Sequence, residues 1–297
     1  MFSVGEGEAI LVIFPAGRTW LIDGGSTNHL GPNERLGQLL VRYLEARGLL
    51  LEACVASHPH VDHAGALAPI LTSGSPALAP TVTVYRGGVA WTGMGKWLDR
   101  YHKAIAGLDS AVEEVTLADA HREVVIADGI VAHLFAGSGA GPYTSLFMQL
   151  RFRSARLLFT GDAHCGYEVE LLKTFGAADF RADMLKVTHH GSSNGTAGRV
   201  LRAAKPAFAI ASTADEDGHR LEEDTLERLL GPEEKRRVFE TLVEGDIIVG
   251  TDGEPYRGGV LYRVEFTSPG EFAEGLDAEV IPADRIQRER SDDPDCQ

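Results

Sequence analysis

The stretch Ser57-His58-Pro59-His60-Val61-Asp62-His63 places three imidazoles and one carboxylate within six positions. It follows the apolar run 53–56, which predicts a buried strand. The side chains of His58, His60 and Asp62 alternate, so an extended backbone directs them to one side. We therefore expect two neighbouring ligand pairs, His58 with His60 and Asp62 with His63. Zinc and other first-row divalent ions prefer such ligands. The alternative to a metal site is a chance cluster of these residues on a solvated loop.

Composition and charge limit the class of protein. The 297 residues, 44% of them hydrophobic, can bury a large core. With 43 acidic and 28 basic residues the net charge is −15, so a small or nucleotide-like ester is favoured over long nucleic acid. No apolar run is long enough for a membrane span or a signal sequence, and the three cysteines show no paired spacing. We therefore expect a cytoplasmic protein without a membrane partner, and we make no prediction of its oligomeric state.

Short strands and helices alternate on both sides of a midpoint near residue 140. This pattern predicts an α/β (α+β) fold with two sheets stacked face to face and helices outside. We place this domain at residues 1–267. Residues 268–297 lack apolar periodicity and carry many charges, which predicts a flexible C-terminal tail.

Asp162 is the strongest candidate for a further ligand. It ends the run Leu-Leu-Phe-Thr-Gly-Asp, where a buried strand is expected and Gly161 permits a tight turn. A carboxylate there could bridge two cations and hold them roughly 3.5–4 Å apart. The alternative is an ordinary turn aspartate after a strand.

Three more histidines follow predicted strands. His189 and His190 are adjacent, so one ring can face a metal while the other faces substrate or a supporting group. His219 lies on a later loop and could complete a second metal site. A single loop histidine is, however, often merely exposed.

Five motifs occur together in a characteristic order. Their combination resembles the metallo-β-lactamase superfamily, and within it the ComEC-type domain and its stand-alone relatives. The resemblance covers roughly residues 4–230. The motifs are Val4-Gly5-Glu6-Gly7-Glu8-Ala9, Leu21-Ile22-Asp23-Gly24-Gly25, the stretch His58–His63, Thr160-Gly161-Asp162 and Lys186-Val187-Thr188-His189-His190-Gly191-Ser192.

This resemblance implies a four-layer αββα sandwich with two metal ions at one edge. It implies that Asp23 steadies a ligand imidazole from behind. Two departures from the family pattern are the absence of histidine at 141–146 and the Ala-His-Cys segment after Asp162. The implied ligands are His58, His60, Asp162 and His190 for one ion, and Asp62, His63, Asp162 and His219 for the other.

The predicted function is a dinuclear metal-dependent hydrolase of phosphodiester or phosphate-ester bonds, with nuclease activity as one form. A hydroxide shared by two divalent ions, zinc or else manganese, would attack the ester. Asp62 and His189 are the predicted catalytic residues, and His189 would donate to the transition-state oxygen or protonate the leaving group. The alternatives are another ester or lactam hydrolase and a metal-binding regulatory module. Weaker candidates for substrate contacts are Lys186, Arg220 and His164. They lie in a predicted strand, on a surface loop and at the start of a helix, and these positions would also account for the residues without any role in binding.

Overall fold

The first sheet follows from the alternating apolar runs of the N-terminal part. A computed structural model describes residues 1–26, 33–87, 91, 96–108, 111–138, 144–215, 220–231, 236–256, 259–267 and 277–282. The sheet has the order β1-β2-β3-β4-β5, with β1 antiparallel to β2 and the remaining pairs parallel. Its strands are β1 (Ala9–Ile13), β2 (Arg18–Gly24), β3 (Leu50–Ala56), β4 (Leu78–Gly87) and β5 (Val112–Leu117).

The second sheet has seven strands in the order β12-β11-β10-β9-β8-β7-β6. Neighbouring strands from β9 to β12 are parallel, and those from β6 to β9 are antiparallel. Its strands are β6 (Ala120–Ala127), β7 (Ile130–Ala136), β8 (Phe147–Phe152), β9 (Ala155–Phe159), β10 (Met184–Lys186), β11 (Phe208–Ala211) and β12 (Arg237–Glu240).

Helices cover the outer face of each sheet. On the first sheet they are α1 (Asn33–Arg47), α2 (Val61–Ala64), α3 (Leu67–Leu71) and α4 (Lys96–Ala106). On the second they are α5 (Cys165–Phe175), α6 (Ala177–Phe180), α7 (Gly198–Ala204) and α8 (Glu223–Leu230), and a short α9 (Thr241–Glu244) follows β12.

The buried apolar side chains divide into three layers. One lies between the sheets, where Trp20 and Tyr85 of the first sheet join Phe208 of the second. A second lies between the first sheet and its helices, around Leu36 and Leu67. The third lies between the second sheet and its helices. The αββα sandwich is therefore confirmed, because each helix buries one apolar face against the outside of a sheet.

Near the C-terminus, β15 (Gly259–Phe266) pairs antiparallel with β13 (Ile247–Gly250), β14 (Pro255–Tyr256) and β16 (Asp277–Pro282). Residues 277–282, which lie within the predicted flexible tail 268–297, form β16, and their backbone pairs with β15 from Leu261 to Phe266. The flexibility of the tail stays a prediction. A strand can add to an open sheet edge through main-chain hydrogen bonds, which need no apolar periodicity. The rest of the predicted tail lies outside the described residues.

Two predicted elements are divided in the structure. The apolar spacing of residues 64–71 predicts one helix, but the structure has two short helices there, α2 and α3. The alternation over residues 123–135 predicts one strand, but the structure has the hairpin β6–β7. Gly129 makes the hairpin turn with φ of 72°, a value that glycine adopts without strain. The sequence does carry a signal for this turn, because Asp128-Gly129 lies between two apolar runs and favours a two-residue hairpin loop.

Cys54 is a free buried thiol, and Cys165 is disulfide-bonded. The spacing of the cysteines did not predict this bond, so that spacing no longer supports the expected cytoplasmic location. No helix in the described part of the chain is both long and apolar enough to cross a membrane.

Candidate metal centre

Four histidine and aspartate side chains converge where strands of both sheets end. Asp62 and His63 lie in α2, just after β3. Asp162 follows β9, and His190 lies in a 3₁₀ turn, Thr188–Gly191, just after β10. One ligand atom from each of the four lies within 4.8 Å of the others. Carboxyl ends of parallel strands are a common place for functional loops, and here two sheets contribute to one group.

The Oδ2 atom of Asp162 lies at the middle of this group. It is 3.0 Å from Nε2 of His63 and 3.3 Å from Nε2 of His190. The two Nε2 atoms are 3.2 Å apart, and each is 3.6 Å from Oδ2 of Asp62. Two imidazole nitrogens and two carboxylate oxygens so arranged form a donor set that suits a first-row divalent cation.

The charges of this group are strongly coupled. Burial opposes charge on the His63 ring, but Asp162, Asp23 and Asp62 outweigh it and raise its pKa well above the usual range. For His190, burial is likewise outweighed by Asp162 and Asp62, and its pKa rises to about 9. Burial works against the charge of Asp162, but His190 and His63 hold its pKa well below its ordinary value. Without a metal, these raised pKa values favour protonated rings at the place where a cation would lie.

His58 provides a test of whether a cation fits. Its Nδ1 lies 3.0 Å from Ser57 Oγ, which itself donates to Asp23, so this pattern assigns the hydrogen to Nδ1. The Nε2 lone pair then faces Asp162 Oδ2 at 3.9 Å. Nε2 is buried and has no hydrogen-bond partner among the described residues, and the same holds for Asp162 Oδ1. A lone pair facing a carboxylate is unfavourable unless a cation lies near both, so the donors fit a metal.

Asp23 and Ser57 form the frame behind the histidines. Asp23 is fully buried and accepts hydrogen bonds from the Ser57 backbone N–H and hydroxyl, both at 2.7 Å. His63 Nδ1 lies 2.8 Å from the same carboxylate, which directs Nε2 into the site. On the other side, the carbonyl of Ser212 accepts from His190 Nδ1 at 3.0 Å. Such partners fix the orientation and tautomer of ligand imidazoles.

The turn that carries His189 and His190 is strained. Their φ angles are 52° and 53°, in the left-handed region that non-glycine residues rarely adopt. Neighbouring hydrogen bonds hold the turn: Thr188 donates its hydroxyl to buried Glu168 at 2.6 Å, and the Thr196 hydroxyl accepts from the Thr188 N–H at 3.1 Å. Two successive strained histidines at the end of a buried strand indicate a functional constraint.

His189 and His164 lie side by side at the more open edge of the centre. Their rings stack with centroids 5.4 Å apart. Asn194 joins them, with Oδ1 2.7 Å from His189 Nδ1 and Nδ2 3.3 Å from His164 Nε2. Nε2 of His189 is 4.0 Å from Asp162 Oδ2, and burial lowers the His189 pKa. A neutral His189 can therefore accept a proton at Nε2.

His190 does not follow the expected division of ligands. Its ring lies with Asp62 and His63, whereas the resemblance placed it with His58 and His60. The reason is the bond from Nδ1 to Ser212, which turns Nε2 toward the α2 side. The predicted ligand His219 lies outside the described residues. The ring of His60 packs against His58 with centroids 4.5 Å apart.

Of the predicted substrate contacts, Lys186 is closed off from solvent, whereas Arg220 stays a prediction. Lys186 is fully buried, and its Nζ faces Glu8, the Gly161 carbonyl and Asp162 behind the centre. As the last residue of β10, its side chain points between the sheets and not into solvent. Arg220 is exposed and donates its hydrogen bonds to Asp215.

Sequence reasoning missed several supporting residues. In the sequence, Ser57 marks only the start of the histidine stretch, and Asn194 carries no signal of its own. Glu8 belonged to a quoted motif without a role, although a glutamate before a buried strand was a signal. The role of Ser212 depends on its backbone carbonyl, for which the sequence holds no signal.

Comparison with known proteins agrees with this geometry. Residues 4–241 match the family model described as Metallo-beta-lactamase superfamily. The chain belongs to this superfamily. Membership in the metallo-β-lactamase superfamily, together with the histidine and aspartate group, supports a metal-dependent hydrolase and divalent metal ions.

Two curated relatives are of the ComEC type. ComE operon protein 3 of Bacillus subtilis (strain 168) is 26% identical over 227 residues, which are 71% of this chain and 28% of the relative. Recombination protein 2 of Haemophilus influenzae is 25% identical over 223 residues, 71% of this chain and 23% of the relative. The chain thus spans about a quarter of the length of the relatives that it matches.

Solved structures of this fold superpose loosely. The metallo-beta-lactamase fold protein YhfI from Bacillus subtilis has a TM-score of 0.48 and 16% identity, covering 80% of this chain and 95% of that one. The short form of human tRNase Z has a TM-score of 0.45 and 15% identity, covering 71% of this chain and 92% of that one.

Proposed function

We propose that the protein is a phosphodiesterase or phosphate-ester hydrolase that uses two divalent metal ions, zinc or manganese. The observation that carries this proposal is the buried lone pair of His58 Nε2, which faces Asp162 beside the complete four-donor group. Asp62, His63, Asp162 and His190 would hold one ion. His58, His60 and the same Asp162 would hold the other. When bound, such ions polarise an ester oxygen and acidify water.

The residues around the ions supply orientation and proton transfer. We assign to His189 the movement of a proton at Nε2, taken from water and returned to the leaving oxygen. Asn194 holds the ring in place, because its Oδ1 accepts from Nδ1. Asp62 has a side chain 13% exposed, and that of His189 is 19% exposed, whereas His58 and His63 are closed off. Substrate would therefore reach the centre from the side of Asp62 and His189.

The choice of a phosphodiester depends on the type of relatives. One of them is named Recombination protein 2, and recombination acts on nucleic acids, whose links are phosphodiesters. The net charge of −15 favours a small ester or a short single strand over long duplexes. A cytoplasmic location remains part of the proposal.

Metal analysis and three substrates test this function together. Purified protein with zinc or manganese is incubated with bis(4-nitrophenyl) phosphate, single-stranded DNA and a chromogenic lactam, with and without chelator. We expect chelator-sensitive cleavage of a phosphodiester, and we expect Asp62→Ala to lose both bound metal and turnover. Cleavage of the lactam alone would favour the ester or lactam hydrolase. Bound metal with none of the substrates cleaved would favour a regulatory module.

A further inference from the structure

A buried ion pair between Glu8 and Lys186 lies behind the metal centre, and the proposed chemistry does not use it. Both side chains are 0% exposed. Glu8 directly precedes β1 in the first sheet, and Lys186 ends β10 in the second. The pair therefore connects the two sheets at the base of the centre.

Each partner also faces one half of the centre. Lys186 Nζ lies 3.7 Å from Asp162 Oδ1, and it donates to the Gly161 carbonyl at 3.3 Å. A carboxylate oxygen of Glu8 forms a second group with Asp23 and His63, with ligand atoms within 4.8 Å of one another. Charged contacts thus run from His63 and Asp23 through the pair to Asp162.

Fold stability alone does not account for such a pair. The desolvation of two buried charges can exceed their attraction, and apolar replacements of both partners are often neutral or stabilising. Loss of a group that supports a metal ligand from behind, in contrast, typically lowers metal affinity about 10–100-fold. The position of the pair at the base of the centre matches the second role.

We propose that Glu8 and Lys186 are positioning residues that set the spacing between the two halves of the metal centre. Lys186 holds Asp162 from behind, and Glu8 holds Lys186 in place beside Asp23 and His63. This inference rests on the proposed metal centre. It does not depend on which ester is cleaved.

The following variants distinguish a positioning role of Glu8 and Lys186 from an effect of their charges on cation binding. In Glu8→Gln/Lys186→Met the two charges are removed together, so the net charge is kept. In Lys186→Met alone the site becomes more negative, so a purely electrostatic effect predicts tighter cation binding, whereas loss of position predicts weaker binding. Arg236→Met is the matched control, because it removes another buried cation, whose hydrogen bonds go to the carbonyls of Pro206 and Leu229.

The measurements are Co²⁺ affinity by competition, the visible absorption spectrum of bound Co²⁺, and thermal unfolding without metal. For the double variant and for Lys186→Met we expect Co²⁺ affinity to fall about 10–100-fold and the spectrum to change. Arg236→Met should keep the wild-type affinity and spectrum, whatever its stability. Wild-type affinity and spectrum in the double variant, or tighter binding by Lys186→Met, would overturn the inference.

A further variant covers the case in which the double variant does not fold. Glu8→Asp keeps the charge and shortens the side chain by one methylene, so the same loss of affinity is expected, and unchanged Co²⁺ binding would overturn the inference. If wild-type protein binds no Co²⁺, the proposed metal centre itself fails. If wild type binds Co²⁺ but cleaves no ester, only the proposed function fails, because the variants still report on the geometry of the centre.

Discussion

The imidazoles of the centre differ in the partner of their Nδ1 atom. His63 is held by the carboxylate of Asp23, His58 by the hydroxyl of Ser57 and His190 by a backbone carbonyl. A carboxylate raises the basicity of a ring more than a hydroxyl or a carbonyl does. Equivalent ligand types therefore need not bind a cation with equal strength.

Metal affinity should depend on pH because protons compete for the same nitrogens. Without metal, the pKa of His190 is raised to about 9, chiefly by Asp162 against the opposing effect of burial. A cation must displace that proton, so apparent affinity should rise from pH 7 to about 9 and fall toward acid. Isothermal titration at several pH values, in buffers of different ionisation enthalpy, should show proton release. Affinity that is constant over pH 7–9 would contradict this assignment.

Ligand identity was more accessible from the sequence than ligand grouping. The stretch from His58 to His63 and Asp162 stood out because several donors follow buried strands. The sequence could not show that His190 joins Asp62 and His63, because a distant backbone carbonyl orients that ring. For Lys186 the neighbouring residues suggested a substrate contact, but burial between the sheets depends on strand register.

At the scale of elements, the centre depends on two tight turns that follow parallel strands. Gly161 turns the chain after β9 with φ of 54°, and the strained turn at His189 follows β10. The N–H of His189 donates to the Gly161 carbonyl at 3.1 Å, so one turn supports the other. A change in either turn should move ligands carried by both.

Gly161→Ala should weaken both stability and metal binding. An added Cβ would lie 2.7 Å from Ser57 Cβ and 2.8 Å from Ser145 Oγ, at a φ that is unfavourable for alanine. We expect a loss of about 1–3 kcal/mol in the free energy of unfolding. We also expect lower metal content, because Asp162 is the next residue. Urea unfolding and elemental analysis measure the two effects.

Gly166→Ala is the control for this prediction. Its added Cβ would meet no heavy atom within 4 Å in the described structure, and Gly166 lies in α5. Alanine is favoured over glycine in a helix, so we expect about 0.5–1 kcal/mol of added stability and unchanged metal content. Equal stability of Gly161→Ala and wild type would show that the turn tolerates a side chain.

Most helices and strands could be predicted because their apolar periodicity reflects which face is buried. The boundary between α2 and α3 was harder to predict because its local signal is weak. The hairpin turn at Gly129, in contrast, has a clear signal in the pair Asp128-Gly129. The strand Asp277–Pro282 was missed since its structure depends on pairing with β15, and not on its own pattern.

At the scale of the whole molecule, the centre joins two sheets whose shared interior is largely apolar. Asp62 and His63 belong to the first sheet's loops, whereas Asp162 and His190 belong to those of the second. The stacking of the sheets was predictable from the alternation of elements on both sides of the midpoint. The inter-sheet pair Glu8–Lys186 was not, because nothing local relates residues so far apart in sequence.

Removal of metal should therefore lower the stability of the whole molecule. An ion present at 100 times its dissociation constant stabilises the folded state by about 2.7 kcal/mol. We expect excess chelator to lower the Tm by several degrees, measured by differential scanning calorimetry. In Asp162→Asn, which removes the shared carboxylate, the Tm should not respond to chelator. An identical wild-type Tm with and without chelator would mean that no ion bridges the sheets.

The division of the centre between two sheets also orders its assembly during synthesis. The ribosome makes residues 58–63 well before Asp162 and His190. A nascent chain that has not yet formed β9 and β10 can offer an ion only the donors of its first sheet. Full capture of the metal thus waits until the chain through His190 has been translated and has formed the second sheet.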